Sequence, residues 1–314
     1  MKRWLWRKNQ RFRRVNITPL ARIVSITGVG SGTRLSSVFC LVVLCLLPSD
    51  LPFTVPPPFT LLLRETLPST NDEARKLAEQ GAADGLVVLT DRQSAGRGRR
   101  GADWFAPMGQ SLAFSIIVRP AEPKALWPRL ALAAGLAVAE AAETCAGDVG
   151  IKWPNDVWIG RRKLAGILVE AGHDFAVVGI GINVNGCEFP PDLAQLATSL
   201  QLAAGQTQDR ARILTAVLHH FSLRREQLSA GFDELLDGVR LRCVLTGHEV
   251  SLITAGTPCH GTIEGLGPGG ELLLRTPTGL QRIIQADEVR LASGDKDGYP
   301  CPGTRAGQSQ TPVV

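Results

Sequence analysis

From residue 60 onward, apolar and polar positions fall into blocks that read as strands and helices in turn. "STNDEARKLAEQG" (69–81) predicts a capped helix, with a Ser/Thr/Asn start, acids in the first turn and a glycine at the stop. "GLVVLT" (85–90) predicts a buried strand, and "SLAFSIIVRP" (111–120) a second one ended by proline. "ALWPRLALAAGLAVAEAAETC" (125–145) is alanine-rich and apolar over most of its length, the pattern of a helix laid on a sheet. "IKWPNDVWIG" (151–160) then leads through "IGRRK", a hairpin turn, into the strands "LAGILVEA" (164–171) and "FAVVGIGINVN" (175–185). A long amphipathic helix over about 207–230 closes this part. Beyond residue 238 short β-rich runs alternate with glycine turns at close spacing, which predicts a small barrel. The Gly/Ser/Asp/Pro-rich tail, 293–314, reads as disordered.

Charge and composition change this picture mainly at the N-terminus. The chain has 314 residues, 44% of them hydrophobic, enough for a large core, and a formal net charge of +5. Residues 1–60 hold nine Lys/Arg against one Asp, so the remainder is mildly acidic and overall basicity says nothing about its partner. "MKRWLWRKNQRFRR" is followed by the apolar run "VFCLVVLCLL" (38–47), too short to span a bilayer as a helix of about 20 residues. The preferred reading of 1–60 is an extension outside the core or a start assigned too early; a targeting or anchoring segment is the rival. Seven cysteines (Cys40, Cys45, Cys145, Cys187, Cys243, Cys259 and Cys301) include no C-x-x-C pair, so neither a disulfide framework nor a zinc site fits. Scattered reduced thiols and a cytoplasmic location are expected.

The candidate chemistry begins at "SAGRGRRGADW" (94–104), three arginines among three glycines. Its glycines match G-x-G-x-x-G, but a dinucleotide fingerprint opens a helix, and here "ADWFAPMGQSLAFSIIV" leads into another strand. What remains is a flexible loop of guanidinium groups, which stay charged when water is excluded and grip carboxylate or phosphate oxygens in pairs. A solvated basic turn and an RNA-binding R/G segment are the competing readings; the latter lacks aromatic interleaving and a basic surface. The loop's company decides: "KWPND" (152–156), "RRKLAGILVE" (161–170) with Lys163 at the mouth of a strand, and "GIGINVN" (179–185).

In this order these motifs resemble the biotin–protein ligases, over about residues 62–292. The resemblance implies an α/β catalytic domain like that of class II synthetases, with a mixed sheet and helices (61–238), and a small SH3-like β-barrel (239–292). It implies that ATP activates biotin as biotinyl-5'-AMP, and that the biotinyl group passes to a lysine of a biotin carboxyl carrier protein of acetyl-CoA carboxylase. By position, Ser69, Thr70, Asn71 and Gln93 match the family's biotin segment. Arg97, Gly98 and Arg99 match its ligand-covering loop, Lys163 faces the biotin carboxylate with Gly166 close by, and Trp104 stacks the adenine. Lys152, Asn155, Asp156 and Asn183 fall in motifs lining the nucleotide and acceptor side. Arg97, Arg99, Lys163, Lys152 and Asp156 are the catalytic candidates; Asp156 either serves the acceptor amine or makes a structural hydrogen bond. No protein ligand set for Mg²⁺ stands out, as expected where phosphates and water hold it. The sequence departs from the family at "ADEVRL" (286–291), where a Ser/Gly-Glu-Val pattern is usual, and 1–60 lacks a helix-turn-helix texture. A homodimer is compatible with the resemblance; no nucleic acid or membrane partner is expected. Alternatives are a lipoate–protein ligase of the same fold and a biotin-sensing repressor.

Overall fold

A computed structural model describes residues 53–292. In chain order the elements are β1 (Thr60–Leu67), α1 (Thr70–Glu79), β2 (Leu86–Gln93), β3 (Ser111–Val118), α2 (Arg129–Ala146), β4 (Val149–Lys152), β5 (Asp156–Ile159), β6 (Arg162–Ala171) and β7 (Ala176–Asn183). They continue with α3 (Leu200–Ala204), α4 (Arg210–Glu226), α5 (Phe232–Arg242), β8 (Glu249–Thr254), β9 (Thr257–Leu266), β10 (Leu272–Thr276), β11 (Gly279–Ile283) and β12 (Val289–Leu291).

The first seven strands form one mixed sheet in the order β1-β2-β3-β7-β6-β5-β4, with β1 and β2 parallel and the other neighbours antiparallel. Alternation along a strand sends successive side chains to opposite faces, and here each face has its own core. Val87, Leu89, Phe114, Ile116, Ile180 and Ile182 join the larger cluster, to which α2 and α4 contribute. Val88, Ile117 and Val177 face the other way, toward Ala74 and Ala78 of α1. Because α1 is short and meets β2, β3 and β7, the same face stays open over β5 and β6. The functional cavity lies there.

The helix expected over 69–81 runs from Thr70 to Glu79, with Ser69 as N-cap accepting from the Asp72 amide at 3.4 Å. The alanine-rich helix is α2; 67% of its most apolar stretch is buried inside the fold, as in the core helix of a globular protein. The hairpin through 159–163 joins β5 to β6. The glycine–arginine loop contains a single 3-10 turn, Arg99–Gly101, and no helix opens after it.

Three expectations need correction. The long helix over about 207–230 ends at Glu226, and a separate α5 follows that carries helical structure past 238, to Arg242. Leu235, Leu236 and Val239 of α5 are fully buried, so tertiary contact outweighs the local texture. Residues 53–60 are not outside the core: Phe59 is 6% exposed, Phe53 packs on the core, and the Thr54 carbonyl accepts from Thr215 Oγ1 at 3.1 Å. The readings of residues 1–52 and of the tail 293–314 lie outside the described residues.

The C-terminal domain is a five-stranded antiparallel sheet in the order β11-β10-β9-β8-β12. It is fastened to the first sheet by Trp153 Nε1, which donates to the Gly270 carbonyl at 2.9 Å, and by the Val244 amide, which donates to the Ile151 carbonyl at 3.0 Å.

Candidate functional site

A cavity of about 660 Å³ opens on the uncovered face of the sheet. The motif "GIGIN" explains its floor. On β7 the isoleucines Ile180 and Ile182 point into the α2 core, and the alternate Gly179 and Gly181 leave space on the other face. Gly181 pairs in register with Gly166 of β6, so two neighbouring strands lack side chains at the same level. The Trp104 ring occupies that level: a Cβ on Gly181 would lie 2.3 Å from it, and one on Gly166 3.2 Å away.

The rear wall comes from the first turn of α1. The Thr70 amide and Oγ1 both meet Gln93 Oε1, at 2.8 and 3.2 Å. Buried Ser115 donates to Asn71 Oδ1 at 2.6 Å, and Asn71 Nδ2 donates to Glu170 Oε2 at 2.7 Å. Ser69, Thr70 and Asn71 are each less than 5% exposed, and this network holds their polar groups in fixed directions.

The cations differ in how they are held. Arg97 is ion-paired with Asp72 and lies 3.8 Å from Glu170 Oε1. Arg100 is ion-paired with Asp287. Arg99 instead donates to neutral oxygens, Asn155 Oδ1 at 3.1 Å and the Ala286 carbonyl at 2.7 Å. Burial lowers its pKa, an effect opposed by nearby Asp156. Its charge is therefore the least spent of the three and is the one best placed to meet an incoming anion. Lys163 Nζ lies 2.8 Å from Asp156 Oδ1 and 5.6 Å from the centre of the Trp104 ring. Lys152 Nζ sits 4.8 Å from the Trp158 ring centre; burial lowers its pKa, with Asp156 and Glu288 acting against that. Asn155 serves as a strut: its Nδ2 donates to the Ile167 carbonyl at 2.9 Å while its Oδ1 receives Arg99.

Ser69, Thr70, Asn71, Gln93, Arg97, Gly98, Arg99, Trp104, Lys152, Asn155, Asp156, Lys163 and Gly166 all line this one cavity, although the motifs lie up to 97 positions apart. Asn183 does not. It is 5% exposed at the end of β7, and its Nδ2 donates to the Thr198 carbonyl at 3.0 Å, so it anchors the chain after the strand. Asp156 is ion-paired with Lys163, a partner beside the two roles weighed for it from sequence. Sequence reasoning missed Gly179, Gly181, Asp287 and Glu288. The period-2 alternation of "GIGIN" was a signal for the two glycines; nothing local marks the two acids.

A mixed α/β sheet whose open face bears a cationic, aromatic-floored cavity, completed by a C-terminal β-sheet domain, is the architecture of a cofactor–protein ligase. Residues 63–185 match the biotin/lipoate A/B protein ligase family. The chain is 36% identical over 236 residues to the bifunctional ligase/repressor BirA of Bacillus subtilis, covering 72% of this chain and 73% of that protein. It is 35% identical over 233 residues to the biotin–[acetyl-CoA-carboxylase] ligase of Paracoccus denitrificans, covering 70% and 96%. The structure of biotin protein ligase from Aquifex aeolicus in complex with biotin and ATP matches with a TM-score of 0.68 and 32% identity, over 74% of this chain and 99% of that one. The chain belongs to the biotin/lipoate A/B protein ligase family.

Proposed function

We infer that this protein activates biotin with ATP as biotinyl-5'-AMP and transfers the biotinyl group to a lysine of a biotin carboxyl carrier protein, in the cytoplasm. The observation that carries the reading is the meeting of Arg99, Lys163 and the Trp104 ring over a glycine floor in one cavity.

The chemistry requires that arrangement. A biotin carboxylate oxygen attacks the α-phosphorus of ATP, pyrophosphate leaves, and a mixed anhydride forms. Carboxylate and triphosphate repel each other unless fixed positive charge lies between them. Lys163 supplies it on the carboxylate side, taking its charge from Asp156 as the substrate enters, and Arg99 supplies it on the phosphate side. Trp104 offers a flat apolar face to the adenine, and the buried polar groups of Thr70, Asn71 and Gln93 orient the biotin ring system. In the second step the neutral carrier amine attacks the acyl carbon and AMP departs. The anhydride would be hydrolysed in water, so the flexible glycines of the loop matter as much as its charges.

Mg²⁺ would enter with ATP. Of the four cavity carboxylates, Asp156 and Asp287 are each paired with a cation and Glu288 with Arg290, which leaves Asp103, so phosphate and water oxygens would supply most of its ligands.

The test incubates the protein with biotin, Mg-ATP and a purified carrier domain, and reads the carrier's mass. A gain of one biotinyl group, lost when the acceptor lysine is replaced by arginine, is expected. Transfer of lipoate but not biotin under the same conditions would overturn the reading.

A further inference from the structure

The loop's arginines reach a segment of the C-terminal domain that none of the ligase chemistry above uses. Arg99 and Arg100 are adjacent, and both end on residues 286–287, almost two hundred positions further along the chain. Arg99 Nη2 donates to the Ala286 carbonyl, and Arg100 forms an ion pair with the Asp287 carboxylate. The receiving segment is itself braced. Ala286 is 1% exposed, the Asp287 amide donates to the Ile253 carbonyl at 2.8 Å, and Thr254 Oγ1 donates to the Gln285 carbonyl at 2.8 Å. The loop closes on itself through the Gly98 amide to the Ala102 carbonyl and the Trp104 amide to the Gly96 carbonyl at 2.9 Å, and Arg97 pairs with Asp72, while Arg99 and Arg100 tie its tip to the C-terminal domain. Between Gly98 and Ala102 it holds one tight turn, and Arg100 sits there at φ 59°, a left-handed conformation that a non-glycine residue rarely adopts without a compensating contact.

We propose that Asp287 is a positioning residue for the glycine–arginine loop, holding Arg100 on the C-terminal sheet so that Arg99 stays aimed into the cavity. The geometry separates the duties of the two arginines. Arg100 spends its charge on a carboxylate that is 18% exposed, while Arg99 is oriented by uncharged oxygens and keeps its charge for a ligand. With the latch closed, the loop covers an anionic intermediate; with it open, the glycines return the loop to solvent. The effect on retention of the adenylate rests on the ligase reading above, whereas the latch itself does not.

The experiment compares wild type with Asp287→Asn, Asp287→Glu, Arg100→Gln and the double variant Asp287→Asn/Arg100→Gln. Two quantities are read: trypsin cleavage after Arg97 and Arg99, followed by mass spectrometry, and release of biotinyl-adenylate together with kcat and KM for ATP. A partly exposed ion pair is weak, so Asp287→Asn should speed cleavage and adenylate release about two- to fivefold and raise KM for ATP with kcat little changed. Asp287→Glu should restore both, and the double variant should be no worse than either single one. Cleavage or release equal to wild type in Asp287→Asn, or single effects that multiply in the double variant, would overturn the proposal. Should Asp287→Asn fold poorly, Arg100→Gln, whose side chain is half in solvent, carries the same comparison. A wild-type protein that forms no adenylate would remove the ligase reading, and the cleavage rates would still decide the latch.

Discussion

Replacing Gly179 with alanine perturbs the site through a single methyl group. The new Cβ would lie 2.1 Å from Asn71 Oδ1, against an ordinary contact of 3.4 Å or more, so the Asn71 amide must retreat by more than an ångström. Asn71 has no free direction to take. Its Oδ1 receives Ser115 at 2.6 Å and its Nδ2 reaches Glu170 at 2.7 Å, with Asn71 and Ser115 at 4% and 0% exposure. A shift of that size breaks both hydrogen bonds, and buried polar groups left unpaired cost about 1–3 kcal/mol each, so a loss of roughly 2–6 kcal/mol is expected. For a domain of this size that is a drop in Tm of roughly 4–24 °C. The assay is thermal unfolding with and without biotin, on Gly179→Ala, Asn71→Ala and the double variant. Gly179→Ala should unfold early and lose the biotin-induced rise in Tm. The double variant should be no less stable than Asn71→Ala alone, because the methyl group then meets an empty space. Stability losses that simply add, or a Gly179→Ala protein within about 2 °C of wild type, would refute the reasoning, since additivity marks sites that do not touch.

Lys163→Ala removes a charge-assisted contact to the biotin carboxylate, so biotin affinity and adenylation should fall roughly tenfold to hundredfold by isothermal titration and pyrophosphate release; unchanged values would assign the lysine to Asp156 alone. A chain beginning at Leu61 lacks Phe59 and Phe53, and urea denaturation should show it less stable by about 3–5 kcal/mol than one beginning at residue 51; equal midpoints would place 53–60 outside the core after all. Burial holds the His220 imidazole below its ordinary value of 6.5, with Glu140 partly opposing. The folded protein then takes up that proton at a lower pH than the unfolded chain, so this stability is present above about pH 6.5 and is lost as pH falls. His220→Gln should flatten the acid limb of a Tm-against-pH curve, and an unchanged limb would assign it to other groups.

Much of the candidate site was legible in the sequence because its motifs occur in the order found in the biotin–protein ligases, although each taken alone admits a structural reading. A capped helix start at Ser69, an arginine loop leading into a strand, and a lysine at a strand mouth are each visible within a dozen residues. Asn183 misled for the same reason. It closes a motif rich in site residues, yet its amide is consumed by the Thr198 carbonyl, a partner that only the chain's return after β7 provides. α5 went unseen because its buried Leu235, Leu236 and Val239 derive their stability from packing rather than from a strong local pattern.

The sequence by itself determined most of the strands, the alanine-rich helix, a glycine–arginine loop that leads into a strand and the residue types able to bind an anion. Those properties depend on periodicity, glycine placement and side-chain charge, all of which act over a few neighbouring positions. The tertiary structure alone decided what each charge is spent on: Arg97 on Asp72, Arg100 on Asp287, Lys163 on Asp156, and Arg99 on uncharged oxygens. It also decided which glycine must stay bare, since Gly181 lies under the Trp104 ring, where a Cβ would come within 2.3 Å. Such assignments arise between residues brought together by sheet register and by docking of the C-terminal domain. No local pattern encodes which partner waits on the far side of a cavity.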